Sequence, residues 1–306
     1  MKKFLLILTL VLSTFSLMAC GTKKNNDPAI KAYTRDTTSG TRDGFFTTIG
    51  FDEAVKDNTV LVAGHVQASG NGDMISYLKN DEYGIGYISL SSLANSTLKG
   101  LKYNDVEPNE VNVLSGDYKL TRNFNYAVRN EFATDAERKI VTAFVAYLST
   151  KEGKATIKAN DGIVLINDND LSWDDIKAQH PITLEDNSGI TIKFGGSTSV
   201  EKIAKALSAE FKLKCGNFDV EHNHTGSGDA YKRTQGSEKD AANKLHIAFA
   251  SREFKDTEAL ADGTYGKICT DAIVAVVNTK NSLTNVTNET LKGIYDGSIT
   301  KWKELK

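Results

Sequence analysis

The chain has 306 residues, 37 Lys and Arg against 39 Asp and Glu, and a formal net charge of −2. A near-neutral chain with no long basic run cannot track a phosphodiester backbone, so nucleic acid is excluded as an expected partner. Three cysteines and five histidines, without close Cys/His ligand spacing, give no expected metal site.

Residues 1–19 read as a signal peptide: Lys2 and Lys3 precede an apolar stretch, Phe4 to Leu12, too short and wrongly flanked to span a membrane. Leu17-Met18-Ala19-Cys20 resembles the lipobox of bacterial lipoproteins. That implies cleavage before Cys20, a lipid on its sulfur, and residues 20–28 as lipidated cysteine and polar tether. Next comes RDTTSGTRDGFF, residues 35–46, a hydroxyl-rich turn with Arg35 and Arg42 that becomes apolar at Phe45 and Phe46, the expected core of the following helix. Thr59–Ala63 and Tyr83–Ile88 read as strands, with Asn71 and Asp73 between them as caps of the MISYLKN helix. Glu137–Ser149 reads as an amphipathic helix.

Further along, Ile190–Phe194, Asn217–Val220 and Ala272–Val277 read as strands, and Val200–Phe211 and Glu238–Lys244 as helices. The alternation predicts an α/β fold with largely parallel sheets. Polar stretches at 166–175 and 278–288 are the expected crossings between lobes. Cys215 and Cys269 lie in apolar-flanked segments and are expected as buried thiols, not a disulfide. His222 and His224 alternate along an expected strand and share a face, but no third ligand is placed. Trp302 is an expected packing residue and Trp173 an exposed or splice-region one.

Three turns have the composition of anion sites. In FGGSTSVEKIAKAL (194–207) a strand ends in two glycines and three hydroxyl residues open a helix. HNHTGSGDAYKRT (222–234) repeats the design, and RDTTSGTRDGFF adds arginine. The unpaired N–H groups and positive dipole end of a helix start suit an oxyanion, and a guanidinium fork suits a tetrahedral one. Each turn alone is equally explained by helix capping; three on one chain favour convergence on one anion. There is no Gly-x-x-x-x-Gly-Lys-Ser/Thr loop and no Gly-x-Ser-x-Gly elbow, and no motif places a histidine to activate Ser39. The expectation is a binding protein, not an enzyme.

The motifs FGGSTSV, TGSG, IAFASREF (247–254), TDAIVAVVN (270–278), LTNVTNETLKGIYDGSITKWKEL (283–305), RDTTSGTRDGFF, NGDMISYLKNDEYGIGYISLSSL (71–93) and SGDYKLTRNFNYAV (115–128) cover most of the chain. Together they resemble the phosphate-binding proteins of bacterial phosphate ABC transporters, in the type 2 periplasmic-binding-protein family. The resemblance implies a two-lobed class II fold with the ligand cleft between lobes. It also implies an extracytoplasmic, lipid-anchored monomer without cofactor, delivering inorganic phosphate to a membrane permease.

Carried over by motif, Thr198, Ser199 and Ser227 would bind phosphate from one lobe, and Arg35, Ser39, Gly40 and Thr41 from the other. Asp271 would accept the phosphate's own proton while Arg252 supplies charge; the bland reading is an Arg252–Asp271 salt bridge facing away from the cleft, and Asp229 is a second possible acceptor. Residues 29–122 plus 279–306 would form one lobe and 123–278 the other. Family members usually place the GSTS block first; here the RDTTSGTR and GY-strand blocks lead, as in a circular permutant whose original ends are joined through residues 166–186. The alternatives left open are another tetrahedral oxyanion, such as sulfate or molybdate, and a phosphoesterase using the same cleft.

Overall fold

The structure, a computed structural model, describes residues 27–305; the signal peptide, Cys20 and nearly all of the tether lie outside the described residues. Eleven strands follow in chain order: β1 (Lys31–Arg35), β2 (Val66–Ala68), β3 (Gly84–Ser89), β4 (Leu98–Gly100), β5 (Lys102–Tyr103), β6 (Thr121–Val128), β7 (Thr191–Gly196), β8 (Asp219–His224), β9 (Ile247–Ala250), β10 (Tyr265–Asn278) and β11 (Asn285–Val286). The α-helices are α1 (Gly40–Thr48), α2 (Asn71–Lys79), α3 (Leu90–Leu93), α4 (Glu110–Leu114), α5 (Asp135–Leu148), α6 (Lys151–Ala159), α7 (Trp173–Ile176), α8 (Glu201–Lys212), α9 (Gly228–Thr234) and α10 (Asn288–Asp296).

Nine strands form one sheet in the order β2-β1-β3-β10-β6-β9-β7-β8, with β4 also on β10. β1 is parallel to β2 and β3, and β7 to β8 and β9. β10 is antiparallel to β3, β4 and β6, and β6 to β9. The sheet is therefore mixed, where the sequence alternation reads as largely parallel. The antiparallel pairs belong to β6 and β10, which carry the chain between the halves without a helical return.

β10 changes partner midway: Tyr265 to Ala272 pair with β6, and Ile273 to Val277 with β3. An apolar core lies to each side of that point. Phe45, Phe46, Tyr87 and Tyr295 centre one; Phe144, Phe194, Phe211 and Trp173 centre the other. Between the two cores the chain runs through the start of β6 and the middle of β10. Trp173, expected as an exposed or splice-region residue, is 5% exposed, in edge contact with Tyr147 and Phe211.

Two local expectations fail for length and partner. Thr59–Ala63 forms turns, tied to the protein by Val62 N–H donating to the Tyr295 carbonyl at 2.7 Å; β-branched composition makes a strand only where a neighbour offers a ladder. Glu238–Lys244 is likewise a chain of turns, too short to nucleate a helix without an apolar face to bury. The helix expected from Glu137 begins two residues earlier, at Asp135, because Thr134 and Glu137 form a capping box. Cys215 and Cys269 are buried free thiols, as expected. The two ends of the described chain lie side by side: Ala29 bridges Lys301, and Ile30 N–H donates to the Thr300 carbonyl at 2.8 Å.

Candidate anion site between the lobes

β1 delivers Arg35 to the seam, and an aromatic stack holds it there. Tyr87 stacks on Phe45 at 4.0 Å and 11°. Its hydroxyl oxygen accepts the Arg35 N–H at 3.1 Å and pairs with Thr34 Oγ1 at 2.8 Å. Phe45 and Phe46 are core, as expected. Arg42, the second arginine of the motif, is a brace: it donates to the carbonyls of Arg35, Ala54 and Asp57 and to Asn58 Oδ1.

The Arg35 guanidinium is buried and donates to the Ala68 carbonyl (3.3 Å), the Ser69 carbonyl (3.0 Å), Asn71 Oδ1 (3.2 Å) and, across the seam, Thr198 Oγ1 (3.4 Å). Burial lowers its pKa from the ordinary value. Ser39 caps α1 by accepting the Arg42 N–H. The N–H groups of Gly40 and Thr41, in the first turn, have no intrahelical partner.

From the other lobe, β7 ends at Gly196, whose φ of +92° and closeness to the Phe249 backbone leave no room for a side chain. The loop beyond it presents Ser197, Thr198 and Ser199. Ser199 Oγ lies 3.0 Å from Thr41 Oγ1 and accepts Asn71 Nδ2 at 3.2 Å, while its carbonyl accepts the Ser91 hydroxyl at 3.3 Å. The TGSG turn contributes less than its composition promised. Thr225 and Gly226 N–H groups are spent on the Gly196 carbonyl and Gly228 N–H on the Thr38 carbonyl; the Ser227 hydroxyl reaches the seam, 3.0 Å from Ser251 Oγ. Asp229 stays in its own turn, accepting the Thr225 hydroxyl.

Asp271 and Arg122 face each other across β10 and β6, at the point where β10 changes lobes. Arg122 donates to Asp271 Oδ2 through Nε (3.0 Å) and Nη2 (2.9 Å), and through Nη1 to Ser251 Oγ at 3.2 Å. Asp271 Oδ1 is buried with no hydrogen-bond partner. Burial pushes the Asp271 carboxyl up to about 6, against the opposing pull of Arg122. Two buried guanidiniums against this one buried carboxylate leave a positive charge in the seam; the nearest other carboxylate, Asp36, is 4.0 Å from Arg35 and partly exposed.

Arg252 does not join them, and it makes no salt bridge to Asp271. It forms a two-pronged pair with Glu258, both contacts at 2.7 Å, beside a groove of about 770 Å³ that also exposes Phe254 and Lys255. The cause is strand alternation: successive residues leaving β9 point to opposite faces, so Ser251 faces the seam and Arg252 the flank. Of the expected site residues, Arg35, Ser39, Gly40, Thr41, Thr198, Ser199, Ser227 and Asp271 come together. Arg122, Ser251, Ser197 and Ser91 were missed and Asn71 was expected only as a helix cap, although all five lie inside motifs already singled out.

His222 and His224 share a face as expected, 3.1 Å apart through Nδ1 and Nε2, and burial pushes His222 down to about 4. No group of three metal-ligating side chains occurs among the described residues, and no helix among them is long and apolar enough to cross a membrane.

A family model described as a PBP superfamily domain matches residues 181–306. That segment carries β7 to β11, and with them Ser199, Ser227 and Asp271. Over 315 residues, spanning 100% of this chain and 99% of the relative, the chain is 29% identical to the phosphate-binding protein PstS 2 of Streptococcus pneumoniae. It is 28% identical to PstS 2 of Streptococcus agalactiae over 281 residues, 90% of this chain and 87% of that one. Protein SphX of Synechococcus elongatus is 30% identical over 121 residues, only 36% of this chain and 34% of its own. A crystal structure of a phosphate ABC transporter phosphate-binding protein from Streptococcus pneumoniae superposes with a TM-score of 0.63 at 24% identity, covering 91% of this chain and 100% of that one.

Proposed function

We propose that this chain captures inorganic phosphate in the seam between its lobes and delivers it to an ABC permease. The observation that carries the reading is the buried pair of Asp271 and Arg122 facing Arg35 among hydroxyls, with Asp271 Oδ1 left without a donor. A monoprotonated tetrahedral anion supplies what this seam lacks: oxygens for the guanidinium, hydroxyl and helix-start donors, and one O–H for the orphaned carboxylate oxygen. The names of the streptococcal relatives support the same ligand. The site residues in this reading are Arg35, Ser39, Gly40, Thr41, Arg122, Thr198, Ser199, Ser227, Ser251 and Asp271. Sulfate offers no proton, so it would face Asp271 with acceptor against acceptor.

The reading assigns binding without turnover, an extracytoplasmic location with Cys20 as lipid anchor, and one phosphate per monomer. It also treats the block order as a circular shift. The adjacent chain ends support this, as does the start of the family match at residue 181. The full-length match to PstS 2 extends the same order to that relative. Calorimetric titration of phosphate-stripped protein with phosphate and then sulfate tests the function. One-to-one phosphate binding is expected, weakened by about tenfold or more in Asp271→Asn; folded protein that binds no phosphate would refute the reading.

A further inference from the structure

Asn71 stands at the first position of α2, where its side chain would ordinarily be spent on the helix end. It is not: α2 has Gly70 as its N-cap, and Asp73 accepts the Ser69 N–H at 3.3 Å. The Asn71 amide, 4% exposed, is instead turned into the seam. Its orientation follows from its partner. A guanidinium only donates, so the atom 3.2 Å from Arg35 Nη1 is Oδ1, and Nδ2 faces three hydroxyl oxygens: Ser92 at 2.9 Å, Ser89 at 3.1 Å and Ser199 at 3.2 Å.

Two hydrogens cannot serve three acceptors at full strength. Ser89 and Ser92 belong to the same lobe as Asn71, and Ser199 to the other. With the lobes apart, both hydrogens have partners at home; when they meet, one is passed to Ser199, and no buried donor is left unpaired in either arrangement. We infer that Asn71 is a positioning residue that aims Arg35 at the ligand through Oδ1 and couples that aim to lobe closure through Nδ2. This role rests on the phosphate reading for its ligand, but its effect on Arg35 does not.

The test combines two readouts on Asn71→Ala and Asn71→Asp. The first is the ¹⁵N NMR spectrum of the Arg35 guanidinium in phosphate-free protein. Restricted rotation gives wild type resolved Nη signals; Asn71→Ala is expected to collapse them, and Asn71→Asp, which keeps the acceptor, to preserve them. The second is phosphate titration, where both variants are expected to lose about tenfold or more in affinity, the alanine for the lost aim and the aspartate for the lost donor and added charge. A residue that served only stability would lower the melting temperature and leave both readouts unchanged. Resolved Arg35 signals in Asn71→Ala, or wild-type affinity in Asn71→Asp, would overturn the inference; the second variant decides it should the first fail to fold. If wild type binds no phosphate, the functional reading fails, and the Arg35 signals still decide this one.

Discussion

Gly40 packs closely against Ser227 and Ser251 of the second lobe. A methyl group added there would meet Ser227 Oγ at 2.6 Å, Ser251 Oγ at 2.8 Å and the Ser251 carbonyl carbon at 3.0 Å. The hydroxyls can rotate away, but the backbone carbon cannot. Ordinary contact begins near 3.5 Å, so Gly40→Ala forces the lobes apart by about 0.5 Å or more. The bonds that cross the seam from Thr41 (3.0 Å) and Asn71 (3.2 Å) to Ser199 then reach or pass the useful limit. At about 1 kcal/mol each, their loss weakens closure by about 2 kcal/mol, or about thirtyfold in phosphate Kd. Gly40 does not have a left-handed φ, and alanine suits a helix start, so the melting temperature without phosphate is expected to hold. Calorimetry on the variant reads the affinity directly. Binding within about twofold of wild type would refute the claim that closure at α1 makes the site.

The Asp271 carboxyl, pushed up to about 6, makes discrimination pH-dependent: ionised above that value it repels sulfate, and protonated below it becomes a donor. Sulfate affinity measured from pH 8 to pH 5 is therefore expected to rise as pH falls. Arg122→Ala would leave Asp271 buried and unpaired, costing about 3–5 kcal/mol. The folded-state pKa, already above the unfolded value, would climb further, so the deficit in melting temperature should grow as pH rises and shrink in acid. Arg252→Ala removes the Glu258 pair but nothing in the seam, and phosphate affinity should stay within about twofold while stability falls. Burial pushes the Cys215 thiol up to about 12 and the Cys269 thiol higher still, so both should resist a thiol-reactive dye in folded protein and react on unfolding.

Most of the site was legible because it is built from local motifs. A helix start after a glycine-rich turn looks the same in sequence wherever the lobe sits, so the turns could be singled out directly, and the resemblance then assigned Ser39, Gly40, Thr41, Thr198 and Ser199. What depends on pairing could not. Arg122 acquires its role only by standing opposite Asp271 in a strand register that no local pattern specifies. Arg252 drew attention by its charge, but its neighbour Ser251 faces the seam because of the phase of β9. The same limit applied to the sheet: α/β alternation was visible, whereas the antiparallel run of β6 along β10 joins residues far apart in the chain. The TGSG turn shows a further limit, since its Thr225, Gly226 and Gly228 amides are consumed by the carbonyls of Gly196 and Thr38, a pairing that composition does not reveal.

A crystal structure of the phosphate-stripped protein soaked with phosphate tests the central claim most directly. The account predicts one phosphate between the first turn of α1 and the Thr198–Ser199 loop, with Arg35 donating to it and Asp271 Oδ1 within hydrogen-bond distance of one of its oxygens. Phosphate bound elsewhere, with Asp271 Oδ1 still unpartnered and the seam closed on itself, would contradict it.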